Sequence, residues 1–241
     1  MSPERSLSTR VRWTVRCAFG ACIAFTFLIG LLNLDSPGRI LCRAMVNNTF
    51  LAYIPVEISL HLADCRSRIM RGICIAAWLL FYSNAPYMLT DFFHLAMFDP
   101  YIVLESGKRT SLLRNDLRLW LPFAALTMTA LVGALFGTWS LNRVIGALLV
   151  RVRNAGVCLR AALALGFASL ASVGIYLGRF PRLHSVHVLT QPRHTLDQVS
   201  SSIGPDLLEF AVLLTCVQMT LWLWLEFSRL ESAPAASGSP Q

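Results

Sequence analysis

Two pairs of residues in this chain have the types and the spacing that acid–base or metal chemistry needs. Asp91 and His94 are three residues apart, and so are His184 and His187. Residues three apart share one face of a helix, so each pair could hold a divalent metal ion. Asp91 and His94 are the candidate catalytic residues, as a general acid or base. The alternative is interfacial hydrogen bonding, because polar residues are common at exposed helix ends.

Glu57 and His61 form another pair, four residues apart within a largely apolar stretch. They would share a helix face. An ionisable group inside a bilayer is costly and marks a candidate functional site. The alternative is that His61, or hydrogen bonds from a neighbouring helix, simply neutralises Glu57.

Arg179 follows an apolar stretch, where it could bind an anionic headgroup or phosphate or only extend its charge to the interface. Asn84 precedes Asp91 by seven residues, and both would lie on one helical stripe if Pro86 did not interrupt the helix. Asn48 is about half a turn round the helix from Glu57, so these two are not expected to line one pocket. The candidate substrate-binding residues are Asn48, Asn84, Tyr87, Arg179 and Arg182.

The composition indicates what must position these residues. The chain has 241 residues, of which 55% are hydrophobic and only 14% are charged, whereas the usual charged share is about 25%. Its mean hydropathy of +0.57 is typical of a protein embedded in lipid. These values argue against a disordered chain, a nucleic-acid-binding module and an ordinary cytosolic domain, despite a net charge of +8. The predicted partner is therefore the lipid bilayer, not nucleic acid.

Long continuous apolar runs favour helices over strands, since only helices and closed barrels satisfy every backbone group in lipid. We predict an all-α, polytopic membrane helix bundle of about six transmembrane helices over residues 13–227. The predicted spans are residues 17–34, 45–62, 72–90, 119–139, 157–177 and 205–227. A basic cytoplasmic segment, 1–12, precedes them, and a disordered cytoplasmic tail, 228–241, follows.

The orientation follows from the positions of Lys and Arg. With the N-terminus in the cytoplasm, eleven of these residues lie on the cytoplasmic side and nine on the outer side, which favours cytoplasmic N- and C-termini. Six crossings then bring Asn48, the 84–94 segment and the 179–187 segment to the extracytoplasmic face. That face is the predicted location of a polar pocket.

Two predicted spans carry small residues at four-residue spacing, which lets helices approach one another closely. These residues are Gly133 and Gly137 in one span, and Ala164, Ala168 and Ser172 in the next. We interpret them as packing faces, and the same faces could also join two copies in a homo-oligomer.

Motifs of familiar enzyme classes are absent, including the P-loop, G-x-S-x-G, H-E-x-x-H and the dinucleotide fingerprint. The seven cysteines form no C-x-x-C pair, and we interpret them as small buried hydrophobes. Whether the chain is an enzyme therefore stays open, as does the identity of any cofactor. The metal candidates are Asp91, His94, His184 and His187.

Three segments of the chain are similar to a known family. They are Asn48-Thr-Phe-Leu-Ala-Tyr-Ile-Pro55, residues 78–94 with the stretch Asn84-Ala-Pro-Tyr-Met-Leu-Thr-Asp91, and residues 174–182. Over residues 40–225 they resemble the bacterial membrane proteins grouped as domain of unknown function 1361. The family's third segment continues with N-S-W-D, and the matching positions here are His184, Ser185, Val186 and His187. The resemblance implies a multi-pass helical architecture and no established activity.

Two classes of function remain open. In the first, a polar pocket at the extracytoplasmic face binds or processes a small or lipid-linked substrate. In the second, the chain is a non-catalytic transporter, binder or assembly partner, with Glu57 and His61 on a path beside helix breaks at Pro55 and Pro86. For both classes the predicted location is the bacterial cytoplasmic (inner) membrane.

Overall fold

The fold is a bundle of long helices with one small hairpin. The computed structural model describes residues 3–32, 36–65, 67–150, 152, 156–183 and 190–232. The helices are α1 (Pro3–Leu32), α2 (Ser36–His61), α3 (Arg68–Tyr82), α4 (Asn84–Tyr87), α5 (Leu117–Leu149), α6 (Val157–Arg179), α7 (Pro192–Ser201) and α8 (Pro205–Glu231). Two 3₁₀ helices, Leu62–Asp64 and Met88–Met97, follow α2 and α4, and the strands are β1 (Tyr101–Val103) and β2 (Arg109–Leu113).

Five helical segments in the described part of the chain are long and apolar enough to cross a membrane. They are Thr9–Leu32, Arg68–Met97, Leu117–Leu149, Val157–Arg179 and Pro205–Glu231. Large apolar side chains on them are exposed, such as Phe27, Leu213 and Trp224, as expected of surfaces that face lipid. The prediction of an all-α, polytopic membrane bundle is confirmed. The other predicted span, 45–62, lies in α2, which has 26 residues and is not among these five.

The two proline-containing spans behave differently. Helix α2 continues through Pro55, so the predicted break there is wrong. A membrane helix tolerates the missing N–H donor of proline where neighbouring helices pack around it, and Ala52 and Val56 beside Pro55 are fully buried. The third span is divided, because α3 ends at Tyr82, Pro86 lies in the short helix α4 and a 3₁₀ helix follows from Met88.

Some predicted loops and ends contain regular structure. Residues 91–118 include most of the 3₁₀ helix Met88–Met97 and an antiparallel hairpin, in which Tyr101 pairs with Leu113. Gly107 between the strands has a φ of 76°, which glycine adopts without steric cost. Helix α7 lies in the predicted polar loop 178–204, α1 already begins at Pro3, and α8 continues to Glu231.

Contacts between α1 and α2 define two ends of the bundle. Ile29 of α1 packs with Cys42 of α2, whereas Arg16 of α1 pairs with Glu57 of α2, so the two helices are antiparallel. We call the end near Arg16 the Arg16 end and the opposite one the Asp91 end, after the carboxylate described below.

The largest core cluster joins α3, α5, α6 and α8. Trp78 stacks on Tyr82 with 4.4 Å between ring centroids, and both pack with Leu141 and Trp222. The Trp78 indole N–H donates to the hydroxyl of Ser140 at 3.2 Å. This packing fixes the end of α3 and therefore the start of the segment that carries Asp91.

Candidate functional site

The carboxylate of Asp91 joins three elements that are distant in sequence. Asp91 lies in the 3₁₀ helix Met88–Met97, and its side chain is fully buried. Oδ2 accepts from Asn48 Nδ2 of α2 at 2.9 Å, and Oδ1 accepts from Arg179 Nη1 of α6 at 3.1 Å. A buried charge is tolerated when it is paired and hydrogen-bonded, and both oxygens of this carboxylate are engaged.

Arg179, the last residue of α6, is held by more than Asp91. Nη1 also donates to the Tyr87 hydroxyl at 3.1 Å, and Nη2 donates to the Thr90 carbonyl oxygen at 3.0 Å. The guanidinium carbon lies 5.6 Å from the centroid of the Tyr87 ring. We call Asn48, Tyr87, Thr90, Asp91 and Arg179 the Asp91 cluster.

Not all N–H groups of the Arg179 guanidinium have acceptors among the described residues. A guanidinium carries five N–H groups, and three of them have acceptors among the described residues. The side chain is 20% exposed, so the remaining N–H groups belong to a positioned cation at the edge of the cluster. Such a guanidinium recognises carboxylate and phosphate groups.

His94 lies beside this cluster. Its Nδ1 is 3.0 Å from the Asp91 backbone oxygen and 3.6 Å from Asp91 Oδ1, and its side chain is 31% exposed. The described residues include no group of three or more His, Cys, Asp or Glu side chains that could hold a metal ion. His184 and His187 lie outside the described residues. Both carboxylate oxygens of Asp91 already accept N–H donors, so a metal ion there would share these oxygens with Asn48 and Arg179.

Two of the predicted binding residues do not join the cluster. Asn84 donates its amide to the Phe81 carbonyl oxygen at 3.0 Å, within its own stretch of chain. The helix is interrupted between Tyr82 and Asn84, and a 3₁₀ helix has fewer residues per turn than an α-helix, so Asn84 and Asp91 do not share a stripe. Arg182 is exposed and has a φ of 59°.

Glycines of α5 allow the segment before Asp91 to come close. A Cβ on Gly133 would lie 2.6 Å from Met88 Sδ, and one on Gly137 would lie 2.6 Å from Ala85 Cβ. The close packing expected of the Gly133-x-x-x-Gly137 motif is therefore made inside this chain. Ala164, Ala168 and Ser172 are also buried, so both faces suggested for a homo-oligomer are covered by the chain's own helices.

Glu57 and His61 meet at the Arg16 end, away from the Asp91 cluster. The Glu57 carboxylate accepts from Tyr53 Oη at 2.5 Å, contacts His61 Nε2 at 2.9 Å and pairs with Arg16. The nine residues from Asn48 to Glu57 correspond to about 13 Å along a helix. Sequence spacing indicates the contact with His61, but not the one with Arg16 of another helix.

A buried ion pair between α6 and α8 was not among the sequence candidates. Arg160 donates to both oxygens of Glu226, at 2.8 Å and 3.1 Å, and the side chains are 11% and 4% exposed. Asn142 of α5 accepts from Arg160 at 3.3 Å and from the Trp222 indole at 2.8 Å. The available signal was Arg160 itself, because a charge inside a span usually has a partner.

Comparison with known proteins adds a family and no activity. A family model described as "Protein of unknown function (DUF1361)" matches residues 47–221. That range contains Asn48, Asp91 and Arg179, and it covers most of the bundle. No curated protein and no solved structure matches the chain.

Proposed function

Because this chain belongs to the DUF1361 family of proteins of unknown function, we propose its function from the geometry of the Asp91 cluster. The chain binds an anionic group, phosphate or carboxylate, of a small or lipid-linked molecule. Arg179 is the residue that contacts the anion, and the cluster holds its guanidinium in place.

The observation that carries this proposal is the state of Arg179. Three of its hydrogen bonds and the adjacent Tyr87 ring fix its orientation, while its side chain keeps some exposure. Preorganisation lowers the entropy lost when a ligand binds. Arg182, exposed three residues further on, and His94 would add donors to the same ligand.

Binding is favoured over catalysis because the Asp91 side chain is fully buried and its carboxylate is engaged by Asn48 and Arg179. Its function in this proposal is to position Arg179. The transport alternative is weaker, since the helix break that it required at Pro55 is absent.

The location proposed for this activity is the extracytoplasmic side of the bacterial cytoplasmic membrane, with both termini in the cytoplasm. The arginines of the Arg16 end support this orientation, because short cytoplasmic loops carry an excess of Lys and Arg. Arg12, Arg68 and Arg71 all lie at that end of α1 and α3.

The test is binding of two phosphate-bearing ligands to the purified full-length chain in detergent. Geranylgeranyl phosphate represents a lipid-linked ligand, inorganic phosphate a small one, and geranylgeraniol serves as the uncharged control. We expect Arg179→Lys to weaken phosphate-dependent binding about tenfold, the cost of one charge-assisted hydrogen bond, because lysine cannot make the two-pronged contact.

Arg193→Lys is the matched control, because Arg193 is exposed on α7 and outside the cluster. Its binding should equal that of the wild type, and all variants should keep the same helix content. Binding that is equal for geranylgeranyl phosphate and geranylgeraniol, or unchanged in Arg179→Lys, would contradict the proposal.

A further inference from the structure

One face of α5 at the Arg16 end carries aromatic residues followed by an arginine. Phe136, Trp139, Arg143, Ala147 and Val150 are separated by three, four, four and three residues, which places them on a single stripe of the helix. Two hollows follow each other along this stripe, one apolar and one basic.

The apolar hollow is a groove of about 450 Å³ between α1, α5 and α8. Its lining is apolar except for Arg10 and Thr14 of α1, and its large side chains are Phe136, Trp139 and Trp224. Leu135 and Trp224 are 36% and 60% exposed. Since these helices are candidate membrane spans, the groove opens to the acyl-chain region of the bilayer.

The basic hollow is a cavity of about 300 Å³ further along the stripe. Among the described residues it is lined by Ser59, Leu62, Arg71, Arg143, Ala147 and Val150, which include two arginines and no acid, and the nearest acid that acts on Arg143 is Asp64 outside this lining. Trp139 links the two hollows, because the Arg143 guanidinium carbon lies 5.0 Å from its ring centroid.

Among the described residues, each of these two guanidinium groups donates one hydrogen bond to the protein, to a backbone carbonyl oxygen. Arg143 donates through Nε to the Ser59 carbonyl oxygen at 3.3 Å, and Arg71 donates through Nη2 to the Cys65 carbonyl oxygen at 3.3 Å. Arg71 Nε is buried and has no acceptor in the described part of the chain. Asp64, the nearby acid, is paired with Arg12 at 2.5 Å.

An anion between Arg71 and Arg143 would satisfy these cations. A buried donor without an acceptor costs free energy. Among the described residues the Arg71 guanidinium makes one hydrogen bond, of 3.3 Å, so it can turn toward a ligand. Guanidinium groups bind phosphate oxygens through charge-assisted hydrogen bonds. A cation pair beside an apolar groove matches a molecule with a phosphate at one end and a hydrocarbon chain at the other.

We propose that this stripe is a binding site for one anionic phospholipid of the leaflet at the Arg16 end. Its phosphate lies between Arg71 and Arg143, and one acyl chain follows the groove past Trp139. The site is separate from the Asp91 cluster, at the other end of the bundle, and needs no residue of that cluster.

The test is native mass spectrometry of the full-length chain with added phosphatidylglycerol, and with phosphatidylcholine as the zwitterionic lipid. We expect one retained phosphatidylglycerol, and about tenfold weaker retention in Arg71→Gln. Arg68→Gln is the matched control, because it removes the same charge from an exposed position one turn earlier on α3. Leu135→Trp, which fills the groove and leaves both arginines, should also weaken retention.

Inorganic phosphate separates a lipid from a free-anion site. Retention of phosphatidylglycerol that survives millimolar phosphate, and that depends on Leu135, supports the lipid. Equal loss in Arg68→Gln and Arg71→Gln would show a general charge effect and overturn the proposal. Displacement by phosphate without any effect of Leu135→Trp would overturn the lipid assignment, as would equal retention of the two lipids. Since the Asp91 cluster is itself proposed to bind a phosphate, the comparison is made on the part of phosphatidylglycerol retention that Arg71→Gln removes. That part should remain in Arg179→Lys, so failure of this site can be distinguished from failure of the Asp91 cluster.

Discussion

Arg160 donates two parallel hydrogen bonds to the carboxylate of Glu226, from Nε to Oε1 at 2.8 Å and from Nη2 to Oε2 at 3.1 Å. This ion pair links α6 to α8 inside the bundle. Arg229 of α8 also bonds to the same carboxylate at 2.5 Å, so two guanidinium groups share the single negative charge of Glu226.

We expect Glu226→Gln to destabilise the chain by about 3 kcal/mol, because it leaves the buried Arg160 without its counter-charge. The double variant Arg160→Met, Glu226→Leu should recover much of this loss, since it removes both charges. The measurement is denaturant unfolding in detergent. Glu231→Gln, an exposed acid one turn later, is the control, and equal stability of the single and double variants would refute the role of the pair.

The contact between Asp91 and Arg179 should contribute a measurable coupling free energy. We expect about 2 kcal/mol from a double-mutant cycle of Asp91→Asn and Arg179→Gln, as for a buried charge-assisted hydrogen bond. The exposed pair Asp99–Arg109, with 3.4 Å between charged groups and 40% and 70% exposure, is the comparison. Its coupling should be below about 0.5 kcal/mol, and similar values for both cycles would count against a special position for Asp91.

The close approach of α5 to Ala85 predicts a sensitive glycine. Gly137→Ala should destabilise the chain by about 1–3 kcal/mol, because the added Cβ would lie 2.6 Å from Ala85 Cβ. Adding Ala85→Gly should restore stability by returning the space. Gly146→Ala on the same helix meets nothing within 4 Å and should raise stability slightly. Thermal unfolding measures all three, and a neutral Gly137→Ala would contradict the packing.

The proposed orientation predicts which positions a membrane-impermeant maleimide reaches in intact cells. In a cysteine-free background, Glu105→Cys and Lys108→Cys, both at exposed positions of the hairpin turn, should be labelled from outside. Arg68→Cys and Ser67→Cys at the start of α3 should react only after permeabilisation. Labelling of residues 105 and 68 from the same side would contradict the alternation of spans.

The sequence predicted the positions of the helices well, but it predicted few of the side-chain contacts between them. Apolar runs near 17–34 and 157–177 became α1 and α6 because a backbone in lipid must satisfy its own hydrogen bonds. The hairpin was missed because Tyr101–Val103 and Arg109–Leu113 are short and fall in a charged stretch. The six predicted crossings place Asn48, Asp91 and Arg179 at the same membrane face. In the structure, Asn48 and Arg179 both donate hydrogen bonds to Asp91.

Partners across helices could not be predicted, because no periodicity links residues of different elements. Glu57 was a candidate for its charge, but its pairing with Arg16 depends on how α1 lies against α2. Arg160 and Glu226 are 66 residues apart in sequence, and only the antiparallel packing of α6 on α8 joins them. Asn84 was a candidate because the predicted crossings place the 84–94 segment at the extracytoplasmic face, whereas its amide bonds to the Phe81 carbonyl oxygen and not to the Asp91 cluster.

The carboxylate of Asp91 also ties together helices that are distant in the sequence. Arg179 terminates α6, whereas Asn48 belongs to α2, and Asp91 accepts a hydrogen bond from each of them. Removal of this one carboxylate would leave both partners without their acceptor, so a single substitution at Asp91 would be felt in α2 and in α6 together.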